Sequence, residues 1–245
     1  MNNKSVSVVI PVYNEEACIQ DALIKTKEFL SKNFRSYEII VVDDGSTDDS
    51  YAKAVDVAKK DNHIRVLNIS KNEGKGTTVK TGMLAATKDY VFFADADLST
   101  PVEEIPRLLQ ALEDRIDISI GSRSLPGSNV VKKQGYFRRN MGRIFNLLVQ
   151  MVLFRGIIDT QCGFKCFKRN TIAPIFSRQR IGGFCFDAEI LFIAKLLGYG
   201  IKEVPVTWVN RENSRVDVIR DSTSMFIDLF RIRYNHCKGY YAPES

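Results

Sequence analysis

Two aspartates, Asp95 and Asp97, follow a short apolar segment and carry the clearest chemical signal in the chain. The segment Tyr90–Ala94 reads YVFFA, a composition typical of a strand buried on both faces. In open α/β sheets, ligands bind beyond the carboxyl ends of the strands. Two carboxylates at positions i and i+2 can share a hard divalent cation, or divide it with a sugar hydroxyl. The pair could instead cap the helix that Pro101 predicts, and these residues alone leave both interpretations open.

Acidic residues also follow two other predicted strands. The apolar segment 7–12 precedes Glu15, and the apolar segment 37–42 precedes Asp43 and Asp44. Such strand ends can meet at one edge of a sheet, so these side chains could line the same crevice as the aspartate pair. Carboxylates there can accept hydrogen bonds from a ribose or a base imide N–H. The alternative for Asp43 and Asp44 is an Asx turn at the start of a helix, with no role in a ligand site.

Alternating strand and helix patterns predict a single α/β domain with a parallel, Rossmann-like sheet through about residue 122. The predicted strands cover 7–12, 37–42, 64–69, 90–94 and 116–121, and the predicted helices between them cover 16–30, 49–60, 75–86 and 102–112. Later segments predict helices over 136–154 and 186–197, a strand over 204–209 and an amphipathic tail over 222–234. The helix 136–154 has one polar stripe, which fits either burial or a membrane interface.

The formal charge of +6 and a pI near 9.0 indicate an anionic partner, such as a nucleotide, a phosphate, a nucleic acid or a lipid head group. Between residues 118 and 186, Asp159 is the only acidic residue against twelve Lys and Arg residues. A solvated basic face is the simpler interpretation, but so one-sided a run favours a functional patch. The five cysteines have no framework spacing and no signal peptide precedes them, so we expect reduced thiols in a cytosolic setting. No apolar run is long enough for a membrane span.

Eight motifs in order resemble the family 2 glycosyltransferases of the GT-A fold, over roughly residues 5–215. The first five are VVIPVYNEE (8–16), VVDDGSTDDS (41–50), NEGKGTTVKTG (72–82), ADADLSTP (94–101) and GSR (121–123). The motifs DTQCGFK (159–165), FDAE (186–189) and WVNRENSR (208–215) narrow the resemblance to polyprenyl-phosphate glycosyltransferases. Within these, the chain most resembles the dolichyl-phosphate glucosyltransferase type, with the mannosyltransferases as near relatives.

The resemblance implies a donor site for a sugar nucleotide and a divalent metal, Mg²⁺ or Mn²⁺. Asp97 is the expected metal ligand, Asp95 contacts the ribose or the metal through water, and Ser99 replaces a glutamine ligand of the mannosyl relatives, so water would complete the coordination shell. The nucleoside is expected at Pro11, Tyr13, Glu15, Val42 and Asp44, and the phosphates and sugar at Lys75, Asp95, Ala96, Asp97, Arg123, Arg211 and Arg215.

The acceptor side is expected within the basic half, at Asp159, Gln161, Lys132, Arg138 and Arg139. A phosphate monoester is largely a dianion at neutral pH and needs no general base, so we expect inverting, in-line attack on C1, with Asp97, Asp95 and Arg123 screening charge. If a base exists, Asp187 or Glu189 of the FDAE motif is the candidate, although both could simply be acidic residues at a helix N-terminus. The expected division is a nucleotide-sugar-binding half (1–122), an acceptor-binding half (123–215) and an amphipathic tail (216–245).

The sequence thus predicts a peripheral enzyme on the cytoplasmic face of a membrane that transfers glucose from UDP-glucose to a polyprenyl or dolichyl phosphate. The alternatives are a GDP-mannose-dependent polyprenyl-phosphate mannosyltransferase, a glycosyltransferase with a saccharide hydroxyl acceptor, and an inactive nucleotide-sugar-binding module. Retention of both Asp95 and Asp97 argues against the inactive module. A nucleic-acid partner would fit the pI but not aspartates that follow buried strands. The oligomeric state is not predicted.

Overall fold

The structure is a computed structural model of the chain, and it describes residues 2–112, 115–132, 136–210 and 218–242. The strands in these residues are β1 (Asn2–Val12), β2 (Phe34–Asp43), β3 (Ile64–Asn68), β4 (Tyr90–Ala94), β5 (Ile118–Ser122), β6 (Asn129–Lys132), β7 (Phe164–Lys168), β8 (Ile201–Pro205) and β9 (Thr207–Val209). The helices are α1 (Ile19–Asn33), α2 (Ser50–Ala58), α3 (Lys75–Ala85), α4 (Ile105–Ala111), α5 (Tyr136–Val152), α6 (Arg169–Phe176), α7 (Phe186–Leu196) and α8 (Val218–Cys237), and a 3-10 turn covers Val102–Glu104.

Seven strands form the central sheet, in the order β3-β2-β1-β4-β7-β5-β8. β1 pairs in parallel with β2 and β4, β2 pairs in parallel with β3, and β5 pairs in parallel with β8. This confirms the α/β class and the mostly parallel sheet. The exception is β7, which lies between β4 and β5 and runs antiparallel to both. The apolar pattern did not predict β7 because Lys165 and Lys168 interrupt it, yet Lys165 is completely buried.

The single strand predicted over 204–209 is wrong. The structure divides this segment into β8, which ends at Pro205, and β9, which begins at Thr207 and pairs with β6 in a separate two-stranded sheet. At the break, the N–H of Val206 donates to the Ser122 carbonyl oxygen (3.2 Å). The N–H of Val209 then donates to the Ser99 carbonyl oxygen (2.8 Å). The break therefore brings β9 to the loop that follows β4.

Helices cover both faces of the sheet, and the alternation of strand side chains separates two apolar cores. Val8 and Ile10 of β1 pack in the core that α1 and α4 cover, whereas Val9 faces the core that α3, α6 and α7 cover. α5 and α8 extend this second core with Phe145 and Leu229. The arrangement leaves the carboxyl ends of β2, β1 and β4 side by side at one edge.

The helix predicted over 136–154 exists as α5, and only one of its faces is buried. Phe145 and Val149 lie in the core, and Asn146 of the predicted polar stripe accepts hydrogen bonds from the N–H and the hydroxyl of Thr160. Other apolar side chains of α5 face solvent. Within the described ranges, we find no helix whose length and hydropathy would allow it to cross a bilayer.

Glu38 of β2 is a buried carboxylate that ties neighbouring segments together. It accepts hydrogen bonds from the hydroxyl of Ser7 and from the N–H and the hydroxyl of Thr87, and it lies 3.3 Å from the Arg65 guanidinium. Burial alone would raise the pKa of Glu38, but these hydrogen bonds and the arginine charge outweigh it and lower the pKa below the ordinary 4.5. The ionised carboxylate therefore stabilises the fold.

We expect Glu38→Gln to lower the free energy of unfolding by about 1–3 kcal/mol at pH 7, because it removes the charge that these donors bind. Since the folded-state pKa is lowered, this contribution is present above pH 4.5 and is lost as the pH falls through the lowered pKa. Urea unfolding at several pH values measures the difference, with Glu28→Gln on the exposed side of α1 as the control. A difference that stays constant down to pH 3 would contradict this account.

Candidate active site

The turn after β4 fixes the direction of the Asp97 side chain. The N–H of Leu98 donates to the Asp95 carbonyl oxygen (3.0 Å), and Leu98 takes a left-handed conformation with φ of 48°. The N–H and the hydroxyl of Ser99 then donate to the two carboxylate oxygens of Asp97, at 2.8 Å and 2.7 Å. Ser99 thus orients Asp97 in this structure, and its predicted contact with a metal stays a prediction.

Asp95 lies between a lysine and the chain backbone. The ammonium group of Lys75, at the start of α3, donates to Asp95 Oδ1 at 2.6 Å. On the other side, the Cα of Gly163 approaches so closely that a Cβ there would overlap the Asp95 carboxylate. Burial would lower the pKa of Lys75, but the carboxylates of Asp95, Asp187 and Asp97 outweigh it and raise the pKa. Lys75 is therefore a fixed positive charge at the aspartate pair.

The environment of Asp97 suits a divalent cation. Burial and the neighbouring charge of Asp95 raise the pKa of Asp97, and the Ser99 hydrogen bonds and the Lys75 charge offset this only in part. A second cation would stabilise the carboxylate form, and oxygen ligands match Mg²⁺ or Mn²⁺. Nowhere in the described ranges do three or more His, Cys, Asp or Glu side chains converge in a metal-binding group.

Arg123, which follows β5, and Asp159 form a bidentate ion pair. The Nε and Nη2 atoms of Arg123 donate to the two oxygens of Asp159 at 2.8 Å each, and the backbone N–H of Arg123 donates as well. Burial raises the pKa of Asp159, but the arginine outweighs it, so the net pKa of Asp159 is lowered. Gln161 Nε2, two residues away, is buried without a partner. Asp159 thus holds Arg123, and binding of an acceptor at Asp159 and Gln161 stays a prediction.

The two candidate bases of the FDAE motif are buried and already occupied. Asp187 pairs with the completely buried ammonium group of Lys165, which also donates to the Cys162 carbonyl oxygen at 2.6 Å. Burial raises the pKa of Asp187, and Lys165 and Lys75 offset this only in part. Glu189 has no exposed surface and accepts hydrogen bonds from two backbone N–H groups and a tyrosine hydroxyl. Both carboxylates are thus held by buried donors, and a general base role for either stays a prediction.

The residues predicted for the nucleoside lie at adjacent strand ends. β1 and β2 pair Pro11 with Val42, and Tyr13 beyond β1 is 38% exposed. Val42 is fully buried, and both oxygens of Asp44 accept backbone N–H groups, from Glu73 and Gly74 at 2.9 Å each. Asp44 therefore holds the loop that leads to Lys75, and its predicted contact with the nucleoside remains a prediction. Glu15, at the same end of β1, is half-buried, and Ala96 is buried in the turn after β4.

Several predicted residues lie outside the described part of the chain. These are Arg211 and Arg215. For three others, Lys132, Arg138 and Arg139, the structure describes the backbone but not the side chain. Conversely, sequence reasoning missed two site residues, Lys165 and Gly163. Lys165 and Gly163 carried a signal in the GFK string, since a lysine within an apolar segment needs a buried partner. Asp43, one of the acids that the sequence predicts at a strand end, is buried, and its Oδ1 has no hydrogen-bond partner.

Gly163→Ala tests the close approach at Asp95. The added methyl group overlaps the carboxylate, so Asp95 must leave Lys75, and we expect about tenfold weaker binding of UDP in the presence of Mn²⁺. Titration calorimetry measures the affinity. Gly142→Ala on the exposed face of α5, where a Cβ meets nothing within 4 Å, is the matched control. Equal affinities of the two variants would show that the Gly163 contact does not position Asp95.

Comparisons with known proteins agree with this geometry. A model of glycosyl transferase family 2 matches residues 7–176. The dolichyl-phosphate beta-glucosyltransferase of Dictyostelium discoideum is 35% identical, over 100% of this chain and 79% of the relative. The human enzyme of the same name is 32% identical, over 99% and 79%. A crystal structure of glucosyl-3-phosphoglycerate synthase from Mycobacterium tuberculosis, in complex with Mn²⁺, UDP-glucose and phosphoglyceric acid, is 20% identical with a TM-score of 0.70, over 99% of this chain and 82% of that one.

The last comparison supports the fold, and the first three establish the family over most of the chain. The mostly parallel sheet agrees with this fold. The chain therefore belongs to glycosyl transferase family 2 and is a glycosyltransferase of the GT-A fold that resembles the dolichyl-phosphate beta-glucosyltransferases.

Proposed function

We propose that this enzyme transfers glucose from UDP-glucose to the phosphate of a dolichyl or related polyprenyl phosphate, with inversion at C1. The observation that carries the proposal is the pair of aspartates beyond β4, in which Lys75 holds Asp95 and Asp97 remains oriented for a cation. The sugar and the acceptor are inferred from the names of relatives that match nearly the whole of this chain. A bound divalent metal would neutralise the charge that develops on the departing diphosphate.

The donor would lie across the ends of β1, β2 and β4. The exposed Tyr13 ring and the carboxylates that follow β1 and β2 suit a nucleoside, and Lys75 suits the diphosphate. Asp97 is the proposed metal ligand, with Asp95 beside it. Mn²⁺ is present in the UDP-glucose complex of the fold relative, and Mg²⁺ fits the same oxygen ligands.

The acceptor phosphate would approach from the side of Arg123. The Asp159 carboxylate fixes this guanidinium, and 25% of the Arg123 side chain is exposed. Because Asp187 pairs with Lys165 and Glu189 with Tyr241, we expect neither to act as the base that a hydroxyl acceptor would need. A phosphate dianion needs none, which favours the lipid phosphate over a saccharide hydroxyl.

The decisive assay incubates the protein with radiolabelled UDP-glucose, Mn²⁺ and dolichyl phosphate, and then separates organic from aqueous products. We expect label in the organic phase, and we expect Asp97→Asn to lower the rate by about 10²–10³-fold because it removes the charge that binds the metal. Asp21→Asn on the exposed face of α1 is the control and should keep the wild-type rate. Label found only in water-soluble products would exclude a lipid phosphate acceptor, and an active Asp97→Asn would exclude the metal assignment.

We further propose that α5 and α8 attach the enzyme to a membrane surface. α5 exposes Ile144, Leu147 and Met151 at positions i, i+3 and i+7, which are 48%, 56% and 63% exposed. α8 repeats this pattern with Ile227, Phe230 and Tyr234, which are 56%, 66% and 58% exposed. The two helices pack on each other through Phe145 and Phe226, whose ring centroids lie 6.1 Å apart.

Two exposed apolar stripes on neighbouring helices are typical of a surface that enters the lipid head-group region. Exposed Arg143 and Arg233 on the same helices would favour anionic lipids. No disulfide joins any of the five cysteines, which fits the proposed location at the cytoplasmic face.

We expect Leu147→Glu and Phe230→Glu each to weaken binding to anionic lipid vesicles by at least about tenfold. Each variant replaces a large apolar side chain that would enter the lipid with a charged one. Vesicle flotation measures the bound fraction. Ile24→Glu on α1, which is 40% exposed on the opposite side of the sheet, is the matched control. Wild-type binding by both helix variants would show that these stripes do not contact lipid.

A further inference from the structure

Glu189 ties the C-terminal segment to a loop near the donor site. Its carboxylate accepts hydrogen bonds from the N–H groups of Arg180 and Ile181 and from the hydroxyl of Tyr241, the last at 2.5 Å. Asn235 of α8 donates to the Tyr241 oxygen in turn, at 3.2 Å. A buried carboxylate is stable only when donors surround it, so the loop and Tyr241 hold it jointly.

The same loop packs directly against the start of α3. The carbonyl oxygen of Gly182 accepts the N–H groups of Gly76 (2.6 Å) and Thr77 (3.3 Å), and Gln179 Nε2 donates to the Gly76 carbonyl oxygen (2.9 Å). A Cβ at Gly74 or Gly76 would overlap the carbonyl oxygens of the loop. The two backbones are thus in direct contact, and neither can shift without the other.

Lys75 lies between these two glycines, and its ammonium group holds Asp95 at 2.6 Å. We propose that Tyr241 and Glu189 are positioning residues for the donor site, which act through the 179–182 loop and Lys75 on Asp95. Neither residue touches the substrate. This inference rests on the proposed function only for the identity of the ligand, UDP. It assigns Glu189 a positioning role instead of the general base role that the FDAE motif suggested.

Other contacts keep the C-terminal segment docked when the Tyr241 hydroxyl is removed. Arg178 Nε donates to the Ala242 carbonyl oxygen at 3.1 Å, and the Arg180 guanidinium lies 4.0 Å from the centroid of the Tyr240 ring. The Tyr241 ring also packs against Phe192. Tyr241→Phe therefore removes the two hydrogen bonds of this hydroxyl, the one to Glu189 and the one from Asn235, and leaves the packing in place.

The test compares Tyr241→Phe with Tyr199→Phe, a change of the same size at a half-buried position that precedes β8, at the opposite edge of the sheet from the site. We expect Tyr241→Phe to weaken binding of UDP with Mn²⁺ by roughly 3- to 10-fold in calorimetry and to accelerate hydrogen exchange at the Gly76 and Thr77 amides. In the transfer assay, the KM for UDP-glucose should rise while the KM for dolichyl phosphate stays unchanged. Tyr199→Phe should match the wild type in UDP binding, amide exchange and transfer.

Wild-type UDP affinity and wild-type amide exchange in Tyr241→Phe would overturn the proposal, as would a parallel loss of donor and acceptor affinity together with a lower melting temperature. Glu189→Gln, which keeps the shape but not the charge, is the second variant and should shift the same measurements in the same direction. A wild-type protein that binds UDP but glucosylates no lipid would refute the proposed acceptor without affecting this comparison. If it binds no UDP, amide exchange at Gly76 and Thr77 still decides whether the link exists.

Discussion

The ion pair between Lys75 and Asp95 is the interaction on which the site depends. Asp95 and Asp97 are two residues apart in a half-buried turn, where two negative charges oppose each other. Lys75 supplies the first compensating charge, and Gly163 lies against the other side of Asp95. Asp97 keeps a raised pKa, and Ser99 fixes its orientation. A divalent cation bound to this carboxylate would stabilise its charged form. Asp95 is thus held by the positive charge of Lys75, whereas Asp97 has only the neutral donors of Ser99 and can still bind a cation.

The antiparallel strand β7 joins the two sides of the site. It lies between β4 and β5, so that Gly163 contacts Asp95 and Lys165 pairs with Asp187. The segment that precedes β7 brings Asp159 to Arg123. Lys165 can be buried only because Asp187 lies opposite it. The proposed acceptor side therefore contains preformed ion pairs, which would suit an enzyme that positions two phosphate groups and screens their charge.

Much of this arrangement follows from local patterns. The apolar runs of β1, β2 and β4 and the acids at their ends predicted the parallel half of the sheet and the edge that carries the site. Contacts between distant segments could not be predicted in this way. Asp44 looked like a nucleoside ligand, yet it also binds the N–H groups of Glu73 and Gly74, about thirty residues later in the chain. Glu189 looked like a helix-terminal acid or a base, and Tyr241, 52 residues later, occupies it.

The most direct test of this account is a crystal structure of the protein with UDP and Mn²⁺, with anomalous diffraction locating the metal. The account predicts one manganese peak in direct contact with an Asp97 carboxylate oxygen, at about 2.1 Å, and with the UDP diphosphate, while Lys75 remains hydrogen-bonded to Asp95. A manganese ion bound to UDP away from Asp97, or one that displaces Lys75 from Asp95, would contradict it.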